Sequence, residues 1–389
     1  MNYILFDDEV RGNLLPFTYT RPIAEIRIGI LTIREKWEKM LGEETSSKTE
    51  EYLQIKFPLK QTEDNVWIAG SVCPDDVLLE EIKALQNEQA LFSGEKLVAF
   101  INSEFNLEAV NNFSRIESKA SLFLIENPWD IFAKNGEAMQ LDYDLLTKGR
   151  QSEQISSTNK LIAQENIFIE KGAKIECAIL NASSGPIYIA KDAEVMEGSI
   201  VRGPFSLGEH STLKLGAKIY GPTTVGPHSK VGGEVNNSVI MGYSNKGHDG
   251  FLGNSVLGEW CNIGADSNNS NLKNNYANVK LWNYGAGRFV NTGLTFCGLM
   301  MGDHSKCGIN TMFNTGTVVG VNANIFGTGF PRNFVPSFSW GGASGFAEYK
   351  MKDAIEVAKR VFERRSLVFD KVEEDILLHV FEQTQQYRK

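Results

Sequence analysis

The sequence predicts a three-part chain: an α/β N-terminal domain, then a left-handed parallel β-helix of hexapeptide repeats, then a C-terminal helical tail. Two observations carry that reading. Aliphatic residues recur every six positions through the middle of the chain, and glycine falls into three regimes. Residues 1–159 hold 7 of the 36 glycines, residues 160–345 hold 29, and residues 346–389 hold none. Shifts of that size mark structural boundaries. The expected domains are therefore 1–155, 160–340 and 345–389, with the polar, Ser-rich stretch 151–159 as the linker.

In the first domain, residues 3–6, 66–69, 97–100 and 121–125 are short apolar runs that read as buried strands. Residues 24–41 and 76–91 carry apolar positions at helical spacing. Strands alternating with helices suggest a mostly parallel sheet.

The middle region is a repeat. From Ile189 in steps of six come Val195, Val201, Leu207, Leu213, Ile219, Val225 and Val231, all aliphatic. At about one such residue in four, eight in a row arise by chance on the order of once in 10⁴–10⁵ trials. The residues four further on (Ala193, Ser199, Phe205, Ser211, Ala217, Thr223, Ser229, Val235) are mostly small. The frame returns at Phe251, Leu257 and Ile263, and again at Met301, Cys307, Phe313, Val319 and Ile325; Ile169 and Ile175 precede it. A six-residue period fits neither a helix nor a plain strand. It fits a triangular parallel β-helix in which each hexapeptide makes one face and its aliphatic residue points to the axis. Glycine after the aliphatic, as in Leu207-Gly208 and Val231-Gly232, frees the corners. The repeat breaks at 232–250 and 264–300, and such breaks become loops that carry function. The tail is rich in Glu, Lys, Ala and Leu and lacks Gly and Pro, which predicts helices over 347–364 and 368–386.

Charge and cysteine usage narrow the function. With a net charge of −9, a pI near 5.3 and no basic block longer than a pair, nucleic acid is not an expected partner. The N-terminus carries two aspartates and a glutamate by position 9, and no apolar run approaches the ~20 residues of a membrane span, so neither a secretory signal nor a membrane segment is expected. The five cysteines are scattered and never in CxxC spacing. No disulfide framework or zinc knuckle is expected, and the location reads as the reduced cytoplasm.

The segment Asn245-Lys246-Gly247-His248, followed by Gly253-Asn254-Ser255-Val256 and Asn262-Ile263-Gly264-Ala265-Asp266, reaches a family. It resembles the acetyltransferase half of the bifunctional sugar-1-phosphate nucleotidyltransferase/amino-sugar-1-phosphate acetyltransferases, over about residues 160–335. The resemblance implies acetyl-CoA-dependent N-acetylation of an amino-sugar 1-phosphate. It places His248 on the catalytic histidine and Asn271 on an asparagine of the acetyl-CoA site, and implies a homotrimer with sites between neighbouring helices. The stretch around His304 resembles one that carries a histidine in some archaeal-type members. At the N-terminus, Pro16-Phe17-Thr18 and Arg21-Pro22 keep elements of the nucleotidyltransferase motif, but its glycine pair is gone, Asp7-Asp8-Glu9-Val10-Arg11-Gly12 stands in the loop, and Ile23 takes the place of its lysine. This resembles the short, divergent nucleotidyltransferase-like domain of one bacterial branch.

An imidazole with an ordinary pKa near ~6.5 suits His248 to take a proton from a sugar ammonium or an attacking amine. The competing reading is a loop histidine bonded to a neighbouring coil. Glu234 would orient that imidazole, hold a sugar hydroxyl, or be a solvated corner acid. Lys246, Lys280 and His304 are the other substrate-binding candidates, and Lys273 joins Asn271 as a cofactor-binding candidate. Lysines are point charges suited to a sugar phosphate or the CoA pyrophosphate, and are also common surface residues. For His304 a structural role competes with a direct one; His210 and His228 should face solvent. The asparagine-rich run 268–275 is either a stacked amide ladder or a pocket lining. In the first domain Arg11 and Arg21 are weak nucleotide-binding candidates near a strand end, with Arg27 beside them. Asp7 and Asp8 are candidates for Mg²⁺ if that domain is active, against an Arg–Asp loop clamp. The leading function is the acetyltransferase; the alternatives are an enzyme with both activities using UTP or dTTP, and a non-catalytic trimeric sugar-nucleotide scaffold.

Overall fold

Buried apolar strands build the first unit, residues 1–14, 20–26 and 31–127 of the computed structural model, in which residues 1–388 are described. Its sheet runs in the order Thr45–Lys48, Asn2–Phe6, Asn65–Ala69, Lys96–Ile101, Gln89–Ser93, Ser114–Glu117. The strand Asn2–Phe6 is parallel to both neighbours, whereas Lys96–Ile101 is antiparallel to both of its own. The sheet is therefore mixed, not mostly parallel. Residues 89–91, expected to end a helix, instead join a strand because Ala90 and Leu91 bury against Phe100 and Ala99. The helix expected from residue 24 starts only at Ile33, where Thr32 and Glu35 close a capping box. Of the run 121–125 only Phe123–Leu124 pairs, and it does so with Val72–Cys73 outside the main sheet.

The second unit comprises residues 15–19, 27–30 and 128 onward. The hexapeptides wind into a parallel β-helix whose faces carry nine, ten and six strands. Ile187 pairs with Phe205 and Phe205 with Thr223, so one turn takes 18 residues, three hexapeptides. All eight aliphatics from Ile189 to Val231 are at most 1% exposed, and the small residues between them are buried at the corners. In register, Val195 stacks on Leu213 and Leu213 on Val231, while Val201 stacks on Ile219. Each buried side chain of this kind contributes roughly 1.5–3 kcal/mol, so the core is a continuous aliphatic column. Beyond Val231 the coils shorten, and Leu252, paired with Val235, takes the axis position expected of Phe251, which is left partly exposed.

The break after Ile263 contains an antiparallel hairpin, Lys280–Asn283 with Arg288–Asn291. Two helices that periodicity had not marked, Pro128–Ala133 and Asn135–Thr147, belong to this unit. The tail forms helices Met351–Glu363 and Lys371–Gln383, within the expected ranges. The first docks on the β-helix through Phe362, whose ring stacks on Trp260 at 4.0 Å. No described helix is long and apolar enough to cross a membrane.

Candidate functional site

His248 stands exposed at a corner, between Asn245–Lys246 on one face of the β-helix and Phe251–Gly253 on the next. Its loop is set by backbone contacts. Gly250 has φ +110°, and a Cβ there would lie 2.2 Å from the carbonyl oxygen of Ser267, so only glycine lets the coils approach. The Glu234 amide donates to Gly250 O at 3.2 Å and the Asp266 amide to Asp249 O at 3.0 Å. From inside the column, Lys246 Nζ donates to the His248 carbonyl at 2.6 Å. Lys246 is only 1% exposed, so it presents no surface to a substrate. Among the described residues none hydrogen-bonds the His248 ring, which leaves both nitrogens open to a ligand.

A cleft of about 650 Å³ opens beside His248 on the 245–246 face. Lys214, Lys230, Lys306, Arg364 and Arg365 line it, and among the described residues no carboxylate does. Lys230, Asn245, Asn262 and Lys306 form one outward ladder, in register from coil to coil. The arginines arrive at the end of the docked tail helix, where Arg365 donates to Asn245 Oδ1 at 3.1 Å. Burial, then the adjacent Arg364, lowers the pKa of Arg365, and burial draws Lys306 down to about 8. A cluster of cations without acids is a focused positive field in a chain of net charge −9. It favours anions, and phosphates above all.

The cleft borders a column of stacked rings. His210, His228, Tyr243, Trp260 and His304 all hold positive φ, between 51° and 62°, at successive corners. Ring centroids are 5.1 Å apart for His210–His228, 4.8 Å for His228–Tyr243 and 4.3 Å for Tyr243–Trp260. His304 lies parallel to Trp260 and Phe362 at 6.2 and 6.1 Å and is 5% exposed, which makes it part of this column and not of the cleft lining. His210 is exposed as expected, but His228 is half-buried, and its pKa is lowered by burial and by His210.

Glu234 lies across the corner from the cleft. It accepts a hydrogen bond from the Tyr220 hydroxyl at 2.6 Å, which with burial pushes that hydroxyl up to about 12, and it is 3.9 Å from Lys218. Asn271 donates to Asn254 Oδ1 at 2.8 Å, while Asn268 and Asn269 accept from the Phe251 and Gly253 amides at 2.8 Å each. These amides extend the interrupted face. Lys273 donates to the Asn278 carbonyl at 2.9 Å, and Lys280 is exposed at the start of the hairpin. Asn271, Lys273 and Lys280 do not line the cleft with His248. The five cations that do were missed. The available signal was a lysine directly before an axis residue, as in Lys230-Val231 and Lys306-Cys307, and the Arg364-Arg365 pair closing a helix.

Residues 3–151 match the family model described as sugar nucleotidyl transferase. A bifunctional sugar-1-phosphate nucleotidylyltransferase/acetyltransferase of Sulfurisphaera tokodaii is 29% identical over 174 residues, 44% of this chain and 42% of the relative. The chain thus spans less than half the length of the curated relative it matches. Two solved UDP-N-acetylglucosamine acyltransferases are also similar. The Arabidopsis structure is 16% identical, covering 60% of this chain and 91% of its own, with a TM-score of 0.25. The Campylobacter jejuni structure is 16% identical, covering 60% and 85%, with a TM-score of 0.22.

Within the segment that matches this family model the loop acids are already engaged. Asp7 accepts from Arg11 Nε at 2.9 Å, the Thr49 hydroxyl at 2.5 Å and the Ile23 amide at 2.7 Å, and burial raises its pKa against the pull of Arg11. Arg11 also donates to the Tyr52 hydroxyl at 3.2 Å. Asp8 accepts from Ser71 Oγ at 2.6 Å and lies 3.2 Å from Lys96, which also meets Glu9 at 2.8 Å. This is the Arg–Asp clamp, and the donor set does not fit Mg²⁺, because each carboxylate is met by a cation of the same chain. Arg21 is buried, 5% exposed. Elsewhere Asp192, Glu209 and His210 bring ligand atoms within 4.8 Å of one another, but all three are exposed and no buried donor joins them.

Proposed function

We propose that the chain is a sugar-phosphate transferase whose β-helix moves an acetyl group from acetyl-CoA to the amine of an amino-sugar 1-phosphate. The observation that carries this is an imidazole with a free ring beside a cleft lined by five cations and no acid. His248 takes a proton from the sugar ammonium. The freed amine attacks the thioester carbonyl carbon; the N–C bond forms, the C–S bond breaks, and the second nitrogen proton ends on the departing CoA thiolate. Arg364, Arg365, Lys214 and Lys230 supply the field for the phosphates of the acyl donor.

The unsupported ring of His248 also favours completion of the site by a second copy. Ile162, Ile179, Ile200 and Tyr220 are exposed on the adjoining face, among Lys160, Asn181, Arg202 and Lys218, a mixed surface that another β-helix could cover. In such a homotrimer Glu234, Asn271, Lys273 and Lys280 would meet the sugar and cofactor across the interface, in the cytoplasm where acetyl-CoA is available. A second reading keeps nucleotidyl transfer from UTP or dTTP in the N-terminal segment. The family match over residues 3–151 favours it, and the engaged acids oppose it.

The test is a panel of hexosamine 1-phosphates with acetyl-CoA, read as thiol release, together with calorimetry of acetyl-CoA binding and light scattering. Amine-dependent thiol release by a trimer supports the reading. Absence of acetyl-CoA binding leaves the scaffold reading in its place.

A further inference from the structure

One residue of the axis column breaks its chemistry. Position by position, Val195, Leu213, Val231 and Lys246 stack in register, and the coil after Lys246 returns to Ile263. Val195, Leu213 and Val231 before it and Ile263 after it are aliphatic, yet Lys246 is as deeply buried as they are. Leu252, Ile263, Leu299 and Phe313 line the small void beside it, together with Ser267, Asn268 and Asn269. An ammonium in such a place is unfavourable unless it is paired and hydrogen-bonded, and an aliphatic residue would fill the position without that penalty. The lysine makes one contact that an aliphatic residue cannot: Nζ to the carbonyl oxygen of His248 at 2.6 Å. Asp249 and Asp266, on either side of the corner, favour its charged form, while burial opposes it.

The loop it holds has little else to hold it. Gly247 and Gly250 bring no side chains, and His248 and Asp249 are exposed. The backbone bonds at Asp249 and Gly250 fix the C-terminal half of the loop, and the lysine fixes His248 itself. We infer that Lys246 is a positioning residue, acting from inside the β-helix through the His248 carbonyl to set where the imidazole stands, and not a substrate ligand. This rests on the reading of His248 as the base. A displacement of about 1 Å at a reacting group can cost on the order of 10²-fold in rate.

The experiment compares wild type, K246M, H248A and the double variant in the intact protein, with acetyl-CoA and the hexosamine 1-phosphate that the wild type acetylates fastest. K246M should fold, lower kcat about 10–100-fold, and leave acetyl-CoA affinity within about twofold. In the H248A background the same substitution should lower kcat no further, because the group it positions is gone. An unchanged kcat in folded K246M overturns the inference, as does a full additional loss in the double variant, which would mark a direct contact. If K246M does not fold, K246L carries the same comparison, since leucine is a residue type of the column itself. Failure of the underlying reading looks different: H248A would then keep its rate, whatever Lys246 does.

Discussion

Replacing Trp260 by alanine should loosen the tail helix and the cleft together. Trp260 is 7% exposed, sandwiched between Tyr243 at 4.3 Å and Phe362 at 4.0 Å. Truncating a buried tryptophan costs about 3–5 kcal/mol. That figure already contains the loss of its stacking on Tyr243 and Phe362. At roughly 2–4 °C per kcal/mol for a unit of this size, Tm should fall by about 6–20 °C. Coils of a solenoid touch only their neighbours, so the damage should concentrate around Trp260 and in Met351–Glu363, whose Phe362 loses its platform. The assay is scanning calorimetry with amide exchange: Tm falls, and exchange accelerates in residues 351–363. W260F, which keeps a ring, should recover at least half of the loss. A Tm change below about 3 °C with unaltered exchange in that helix would refute the reasoning, because the column would then not be what docks the tail.

Three further outcomes follow from the site. Arg364→Ala with Arg365→Ala should weaken acetyl-CoA binding roughly 10–100-fold and flatten its salt dependence, checked by calorimetry at low and high salt. Lys246 and Lys306 are drawn by burial from 10.5 to about 8, so the unfolded chain binds more protons between those values. Their penalty is full below pH 8 and fades as pH rises to 10.5, a gain of about 3 kcal/mol per lysine. Urea midpoints across that window should rise less in K246M and in K306M than in wild type; equal slopes would contradict this. Pyrophosphate release from UTP or dTTP with a hexose 1-phosphate should stay below about 1 s⁻¹ with or without Mg²⁺. A faster, metal-dependent rate would show that Asp7 and Asp8 leave Arg11 and Lys96 to bind the ion.

The β-helix was legible because its core is periodic: eight aliphatics at one spacing became eight axis residues. The spacing misled at Phe251 because Leu252 and Leu257 are only five residues apart, a shortening that leaves both at the axis. Lys246 was invisible as a core residue because a search for aliphatics passes over a lysine in the same column. The edge strand Thr45–Lys48 escaped for a similar reason: its buried Ser46 and Ser47 carry no hydrophobic signal, and the pairing with Asn2–Phe6 alone defines it. His248 was marked by its flanking glycines and its motif. The cations around it were not, because they come from separate coils and from a tail helix, which the stacking of Phe362 on Trp260 and the Arg365–Asn245 hydrogen bond bring to the cleft.

The central claim is that His248 is the base of an acetyl transfer, and H248A tests it most directly. Steady-state thiol release from acetyl-CoA with an amino-sugar 1-phosphate should fall by about 10²–10⁴-fold in kcat, the range of a general base. Acetyl-CoA affinity by calorimetry should stay within about twofold, because the cations proposed to meet the phosphates are untouched. Turnover equal to that of the wild type, in a variant that folds and binds acetyl-CoA, would contradict the account.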